Sequence, residues 1–263
     1  MRHLSLLAFT LLVQLAVGAF LTLGALNLRA DGLAGDPAAR AILDGVLIGI
    51  GLAMALALLA STFHLGAPAA AWRAIRNLRT SWLSREVLFT LLFTLLGGLL
   101  SLLRRSGAAS PTLQAGVAVA AGACGIGLVY AMASVYRLRT VPHWDTARTT
   151  ASFFVTTLLL GPLAVATALA VLPGAPEALL RPPMQVIAAV AAAGFGVELA
   201  QRGSGRLQAL RRALLLVGLA LCALVLLTAG RATGLLVAAF AAALAAQCIG
   251  RYQFYAVGPR RPL

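Results

Sequence analysis

Long apolar runs constrain this chain more than any other feature of its sequence. A helix of about 18 apolar residues or more is long enough to cross the hydrocarbon core of a bilayer. We predict transmembrane helices at eight such runs, roughly residues 4–28, 42–63, 86–103, 112–136, 150–172, 182–199, 211–229 and 232–249. The first run exceeds the apolar stretch of a signal peptide, roughly 7–15 residues, and is interpreted as a retained helix. The predicted fold class is an all-α integral membrane protein, a single polytopic bundle over residues 1–263.

The composition supports a membrane environment. Hydrophobic residues make up 61% of the chain and charged residues only 11%, whereas soluble domains carry roughly 25% charged residues. The 21 basic residues are all arginine, and the net charge is +14. In a membrane protein such charge is typical of loops that set orientation, so we expect contact with lipid and no nucleic-acid partner.

Glycine and proline predict local features within the spans. Gly161-Pro162 lies inside the run 150–172 and is expected to kink that helix. The spacing Gly45-x-x-x-Gly49 is expected to let another helix approach closely. Because only the turn at Gly230-Arg231 separates the last two runs, the number of spans there stays open.

Metal and haem sites are not expected in this chain. Each of the three cysteines sits inside an apolar run without a C-x-x-C partner, and we interpret them as buried free thiols: Cys124, Cys222 and Cys248. The three histidines fall near span ends on one side of the membrane: His3, His64 and His143. Since no two histidines share the middle of the membrane, we predict no haem and no metal.

The arginines predict the orientation of the bundle. Eight spans place both termini on one side, which we call the basic face because it receives 15 of the 21 arginines. They are Arg2, Arg73, Arg76, Arg79, Arg85, Arg137, Arg139, Arg148, Arg202, Arg206, Arg211, Arg212, Arg251, Arg260 and Arg261. The positive-inside rule predicts that this face, with both termini and the 64–85 loop, is cytoplasmic in a bacterial inner membrane.

His64 and Glu86 are the candidate chemical pair. His64 ends the second predicted span and Glu86 begins the third, so the loop between them returns both to the basic face. A quinol oxidation site needs hydrogen bonds to the ring oxygens and groups that accept two protons. Histidine titrates near neutrality, and a buried carboxylate has a raised pKa, so the two side chains suit that task.

Simpler structural roles for the acids and His64 stay open. Ser84 is a candidate N-cap that would place Glu86 in the first helical turn, where the helix dipole favours an acid. His64 is a candidate to cap the last carbonyls of its span. Glu198 and Asp44 are interpreted as interfacial caps, although Asp44 is also a candidate proton exit on the opposite face.

The loop between the second and third spans is also a candidate surface. Residues 69–79 are predicted to form a short interfacial helix with Trp72 in the lipid boundary. Arg73, Arg76 and Arg79 recur at a spacing of three and are candidates for docking a soluble partner. Membrane anchoring by the same residues is the alternative, and the two roles are compatible.

Three motif clusters make the sequence resemble the DMSO reductase membrane anchor (DmsC-like) family. The first is His64-Leu-Gly-x-Pro68 followed by Ser84-x-Glu86. The second is Tyr136 with Thr140-Val-Pro142-x-Trp144, Phe153-Phe154-x-Thr156 and Gly161-Pro162-Leu163. The third is Ile249-Gly250-Arg251-x-x-Phe254-Tyr255. The resemblance covers nearly the whole chain and rests on the order of the motifs.

The resemblance implies a division of labour among subunits. It implies a catalytic partner that holds molybdopterin, an iron–sulfur partner, and a haem-free anchor that exchanges electrons with menaquinone or ubiquinone. The family's matching His and Glu are implicated in quinol oxidation, which carries that role to His64 and Glu86. The residues around the pair are candidate supporting residues: Gly66, Pro68, Trp72, Arg73, Ser84 and Arg85.

Two departures leave the branch of the family open. The 64–85 loop is richer in arginine than expected for the DMSO reductase type, and Gln247 stands where an acid is expected. A cytoplasmic basic face instead resembles the sulfite dehydrogenase (SoeC-like) branch, in which electrons flow into the quinone pool. A polytopic transporter and a structural anchor without quinone chemistry are the alternative functions. The centres of the predicted helices are almost purely apolar, which is atypical of a transporter.

Overall fold

The computed structural model describes residues 2–29, 37–63, 77–107, 109–138, 140–142, 144–172, 186–187, 190, 205–227 and 233–256. Within these ranges the chain forms seven helices and no strand. They are α1 (Arg2–Arg29), α2 (Pro37–Thr62), α3 (Trp82–Ser106), α4 (Pro111–Val135), α5 (Ala147–Val171), α6 (Arg206–Leu227) and α7 (Thr233–Ala256). All seven are long and apolar enough to cross a membrane. The prediction of an all-α, multi-pass membrane protein is therefore confirmed.

The eighth predicted span, residues 182–199, falls outside the described residues except for 186–187 and 190. The directions of the flanking helices give indirect information about this span. α5 and α6 both run antiparallel to α7 and are therefore parallel to each other. Thr156 near the start of α5 bonds Gln247 near the end of α7, and Arg211 near the start of α6 lies against Gly250. The end of α5 and the start of α6 therefore lie at opposite ends of the bundle. The eighth helix itself stays a prediction.

Several helices extend beyond the apolar runs that predicted them. α3 begins at Trp82 rather than near residue 86, α6 begins at Arg206 rather than 211, and α7 continues through Ala256 rather than ending at 249. The added turns are polar or aromatic, so a hydropathy criterion stops short of them, although the backbone hydrogen bonds of a helix continue through them. Arg206, Arg211 and Arg251 are therefore helical residues and not loop residues.

α1 lies at the centre of the bundle and packs against α2, α4, α5 and α7. Its closest neighbour is α5, because Gly18 and Gly161 bring the two backbones into direct contact. A Cβ built on Gly161 meets the backbone of Gly18 and Ala19, so only glycine fits there. Pro162 lies inside α5 immediately after this contact, where a kink is expected.

The described helices do not come closest at the glycine pair singled out from the sequence. Gly45 and Gly49 have no described atom within 4 Å of a Cβ built on them, so no described helix approaches closely there. The reason is that both glycines lie on α2, which packs mainly through its other residues: Ala39, Leu43, Val46, Leu47, Ile50, Met54 and Ala57. Spacing identifies a small surface on a helix, but it does not tell which side of the helix meets a neighbour.

Candidate functional site

Glu86 lies inside α3 and not in its first turn. The N-cap is Ser81, whose hydroxyl accepts a hydrogen bond from the Ser84 backbone N–H at 3.2 Å. The interpretation of Ser84 as the N-cap is therefore wrong, and Ser84 is a buried residue within the helix. Glu86 falls one turn deeper than predicted and is only 8% exposed, so capping does not explain it.

Arg85 and Arg79 lie beside this helix start and have structural contacts. Arg85 donates from Nε to the Leu78 carbonyl and from Nη2 to the Arg79 carbonyl, both at 2.9 Å. Its guanidinium also stacks on the Trp82 ring, 4.1 Å from the centroid. Arg85 thus holds the turn before α3, and Arg79 is exposed on that turn.

Most of the predicted loop residues lie outside the described ranges. They are the partner predicted for Glu86, its supporting residues and two docking arginines: His64, Gly66, Pro68, Trp72, Arg73 and Arg76. His143 and Glu198 lie outside these ranges too. That His64 and Glu86 share a pocket therefore stays a prediction.

The second and third motif clusters meet at the basic face in one aromatic cluster. Its members are Tyr136, Trp144, Phe153, Phe254 and Tyr255. The Trp144 ring stacks on Phe254 with centroids 5.0 Å apart, and its Nε1 donates to the Phe254 carbonyl at 3.2 Å. Tyr136 lies between the others, 5.4 to 5.8 Å from the remaining four rings. The cluster joins the basic-face ends of α4, α5 and α7.

Arg251 is the cation buried in this cluster, with 3% of its surface exposed. Its guanidinium carbon sits 3.5 Å from the Phe153 ring centroid, and Nη2 donates to Gln14 Oε1 at 3.2 Å. Gln14 in turn donates from Nε2 to the Phe153 carbonyl at 3.2 Å. A buried arginine needs such partners to offset its desolvation. The residue counted from sequence as a surface charge is therefore part of the core.

Tyr136 and Tyr255 interact electrostatically with both Arg251 and Glu86. The two tyrosine hydroxyls are hydrogen-bonded to each other, and Tyr255 donates to Thr10 Oγ1 of α1 at 3.2 Å. Burial raises the pKa of Tyr136 well above its ordinary value, with further increases from Tyr255 and Glu86 and an opposing effect of Arg251. The tyrosine pair therefore lies within electrostatic reach of both a buried acid and a buried cation.

An open cleft of about 260 Å³ lies next to the aromatic cluster at the basic face. It is lined by residues from the start of α3, the end of α4 and the α4–α5 connection: Trp82, Tyr130, Ser134, Arg137 and Asp145. Trp82 and Tyr130 meet edge to face with centroids 5.4 Å apart. Arg137 Nε and Asp145 Oδ1 are 3.4 Å apart and form a partly exposed ion pair.

Sequence reasoning missed the residues of α1 that complete the site. Thr10 and Gln14 are fully buried polar side chains in an apolar helix, and their polarity within the first run was the available signal. Gln247 is also buried, and its Oε1 accepts from Thr156 Oγ1 at 3.0 Å. The amide found where an acid was expected thus has a neutral partner on α5.

The cysteines agree in part with their interpretation as buried free thiols. Cys124, Cys222 and Cys248 are all free, but only Cys222 is buried, and the other two are partly exposed. In the described ranges no group of three or more His, Cys, Asp and Glu side chains has the arrangement of a metal site. The absence of haem and metal from the whole chain stays a prediction.

The fold and the site define a class, namely polytopic all-helical membrane proteins with a buried polar cluster at one end of the bundle. A family model described as DMSO reductase anchor subunit (DmsC) matches residues 1–257. The chain therefore belongs to the DMSO reductase anchor subunit family, and the resemblance seen in the motifs is confirmed.

Individual relatives match a shorter segment. The YnfH subunit of an anaerobic dimethyl sulfoxide reductase of Escherichia coli is 33% identical over 164 residues, 62% of this chain and 56% of that protein. The C subunit of the anaerobic dimethyl sulfoxide reductase of E. coli is 31% identical over 159 residues, 60% of this chain and 54% of that protein. The chain thus spans about half the length of these relatives. No solved structure is significantly similar to it.

Proposed function

We propose that this chain is the quinone-reactive membrane anchor of a molybdopterin oxidoreductase. In this proposal an iron–sulfur subunit docks on the basic face and passes electrons between the quinone site and a molybdopterin catalytic subunit. The family membership supports the anchor role, and the names of the relatives place those proteins in dimethyl sulfoxide reductases. Electron flow in either direction fits, and the two branches of the family correspond to reduction of an S-oxide and oxidation of sulfite by the catalytic partner.

The observation that carries the proposal is the buried carboxyl of Glu86 at the basic face. A buried acid in a membrane helix is costly, and such residues are rare away from proton or substrate pathways. Glu86 lies within electrostatic reach of Tyr136 and Tyr255, and it follows by one helical turn Trp82, which forms an aromatic wall of the cleft. An acid, hydroxyl groups and flat apolar walls are what a quinol ring requires.

The chemistry assigns a proton role to the predicted pair. Oxidation of one quinol breaks two O–H bonds and releases two electrons and two protons. The electrons leave to the iron–sulfur partner, Glu86 takes one proton, and His64 takes the other. The reverse flow returns two electrons and two protons to a quinone. Arg73, Arg76 and Arg79 of the connecting loop supply the positive surface for the partner.

Substitution of the pair in the assembled complex tests this function. Glu86→Gln keeps the shape of the side chain but removes the proton acceptor, and we expect quinol-dependent electron transfer to fall about 100-fold or more. His64→Ala is expected to lower it similarly. Asp44→Asn is the matched control, because Asp44 is a carboxylate on the opposite face in an ion pair with Arg104.

The assay compares quinol-dependent turnover with turnover driven by a soluble artificial donor to the partner subunits. The proposal expects loss of the first and retention of the second for the Glu86 and His64 variants. Unchanged quinol turnover in both variants would contradict it and favour a purely structural anchor. For orientation, a reporter fused after Leu263 is expected to be active in the cytoplasm, and periplasmic activity would reverse the assignment.

A further inference from the structure

We propose that the cleft lined by Trp82, Tyr130, Ser134, Arg137 and Asp145 binds the quinone ring. The inference rests on the proposed function and adds to it the place and the contacts of the ring. It separates the binding of the ring in the cleft from proton transfer at Glu86, which lies beneath the cleft.

Two helix stripes build the cleft above Glu86. On α4, Tyr130 and Ser134 lie one turn apart and share one face of the helix, and Arg137 follows two residues after the helix ends. On α3, Trp82 lies one turn before Glu86, so the two side chains lie on the same side of the helix. Phe89 packs against Gly127 one turn further in and closes the space between the helices. A ring bound between the stripes therefore lies over the buried acid.

The lining combines two aromatic side chains with a polar rim. Trp82 and Tyr130 supply two rings at nearly right angles, 79° apart, with Arg85 stacked on one face of Trp82, and Arg137 and Asp145 supply a charged rim. Arginine presents five N–H donors, and the contact with Asp145 involves Nε, so the guanidinium can also donate to a quinone oxygen. The volume of about 260 Å³ lies just below the range of drug-sized sites, about 300–1,000 Å³. It suits a ring system whose long tail remains outside.

An exposed apolar surface leads to one wall of the cleft, which favours a ligand that comes from the bilayer. Tyr130 is 42% exposed and ends a stripe of exposed apolar residues along α4 that includes Val119 and Ile126. Such a stripe on a membrane-spanning helix faces lipid. A ligand that reaches Tyr130 along this surface is itself lipid-soluble, as a quinone is and as a water-borne substrate is not.

Photolabelling and kinetics on the assembled complex test the site. An azido-naphthoquinone is crosslinked by light, and peptides are mapped by mass spectrometry. We expect the label on α3 near Trp82 or on α4 near Tyr130, with competition by unlabelled menadione. Arg137→Gln is expected to raise KM for menadiol about tenfold, the effect of losing one charge-assisted hydrogen bond, with kcat within about twofold. Tyr130→Leu is expected to raise KM about fivefold.

The matched control is Arg105→Gln, an exposed arginine at the opposite end of α3, which is expected to leave KM unchanged. Because Arg137 is partly exposed, its substitution is expected to spare the fold. A label that maps away from α3 and α4, or an unchanged KM in both cleft variants while wild type turns over quinol, would overturn the cleft. Absence of quinol turnover and of labelling in wild type would instead overturn the proposed function itself.

Discussion

The two ends of the bundle use the same residue types in different ways. At the end opposite the basic face, Arg104 and Asp44 form a 2.5 Å ion pair in which the side chains are 18% and 33% exposed. At the basic face, Glu86 and Arg251 are both buried, and both interact electrostatically with Tyr136 and Tyr255. The ion pair lies in partial contact with solvent, and the two buried charged residues lie in the core. Burial, and not proximity, therefore distinguishes the end to which the proposed chemistry is assigned.

The comparison shows which end of the bundle has an ordered polar network. A partly exposed ion pair contributes at most about 1 kcal/mol, because solvent screens it. A buried acid and a buried guanidinium persist only with hydrogen bonds, aromatic contacts and compensating charges around them. Within the described residues that surrounding is built only at the basic face, from α1, α3, α4, α5 and α7. We interpret the bundle as a one-sided exchange surface on a passive membrane scaffold.

The largest effect is expected from a substitution in the helix contact that holds the basic-face end of the bundle together. Gly161→Ala places a methyl group on the backbone of Gly18 and Ala19, which no rotamer change relieves. We expect a loss of about 3 kcal/mol or more in stability. Because α1 carries Gln14 and α5 carries Phe153, the polar network should be lost with the contact. The yield of monodisperse protein after detergent extraction measures this.

Gly49→Ala is the control for that experiment. The Cβ at Gly49 meets no described atom within 4 Å, so we expect an unchanged or slightly higher yield. Equal yields of the two variants would show that the α1–α5 contact does not hold the bundle together.

The next effect compares the two arginines directly. Arg251→Met removes the hydrogen bond to Gln14 and the stacking on Phe153, and we expect a loss of about 2 kcal/mol. Arg104→Met removes the ion pair with Asp44 but is expected to lower stability by no more than about 1 kcal/mol. Thermal unfolding of the purified complexes measures both. A larger loss of stability in Arg104→Met than in Arg251→Met would show that a short distance between charged groups matters more here than burial.

The smallest effect concerns the pH dependence of Tyr136. Its pKa is raised in the fold, mainly by burial, so the folded state holds the phenol proton more tightly than the unfolded state. The resulting stability is present below the ordinary tyrosine pKa of about 10 and is lost as pH rises above it. We expect the thermal midpoint to fall more between pH 8 and about 10.5 in wild type than in Tyr136→Phe. Equal falls would show that this phenol is not protected.

The spans were predictable from sequence because each needs only a long apolar run. Their ends were not, since the polar turns Trp82–Arg85 and Arg251–Tyr255 belong to the helices but not to the apolar runs. Glu86 was predicted from its position as an acid at a span end, yet its burial depends on α4 packing beside α3. Thr10 and Gln14 acquire a role only because α7 lies against α1, which local pattern does not encode.

The glycines and Arg251 show the same limit. Gly18 and Gly161 are far apart in the chain, and nothing in their neighbours predicts that they touch. Arg251 resembled an orientation signal because it follows an apolar run, whereas α7 continues past it and places it in the core. Tyr136 and Tyr255 were noted as family motifs without a role, and their contact with each other appears only in three dimensions.

The most direct test of quinol oxidation at the basic face is to measure on which side of the membrane the quinol protons appear. The complex is reconstituted in liposomes with its soluble partners outward, and menadiol is oxidised with ferricyanide, an impermeant acceptor that takes electrons and no protons. Impermeant pH dyes report each compartment, and the rate with the Glu86→Gln complex is subtracted as the uncatalysed background. Two protons per quinol are expected in the outer medium, at the basic face. Acidification of the liposome interior, on the side of Asp44 and Arg104, would contradict this expectation.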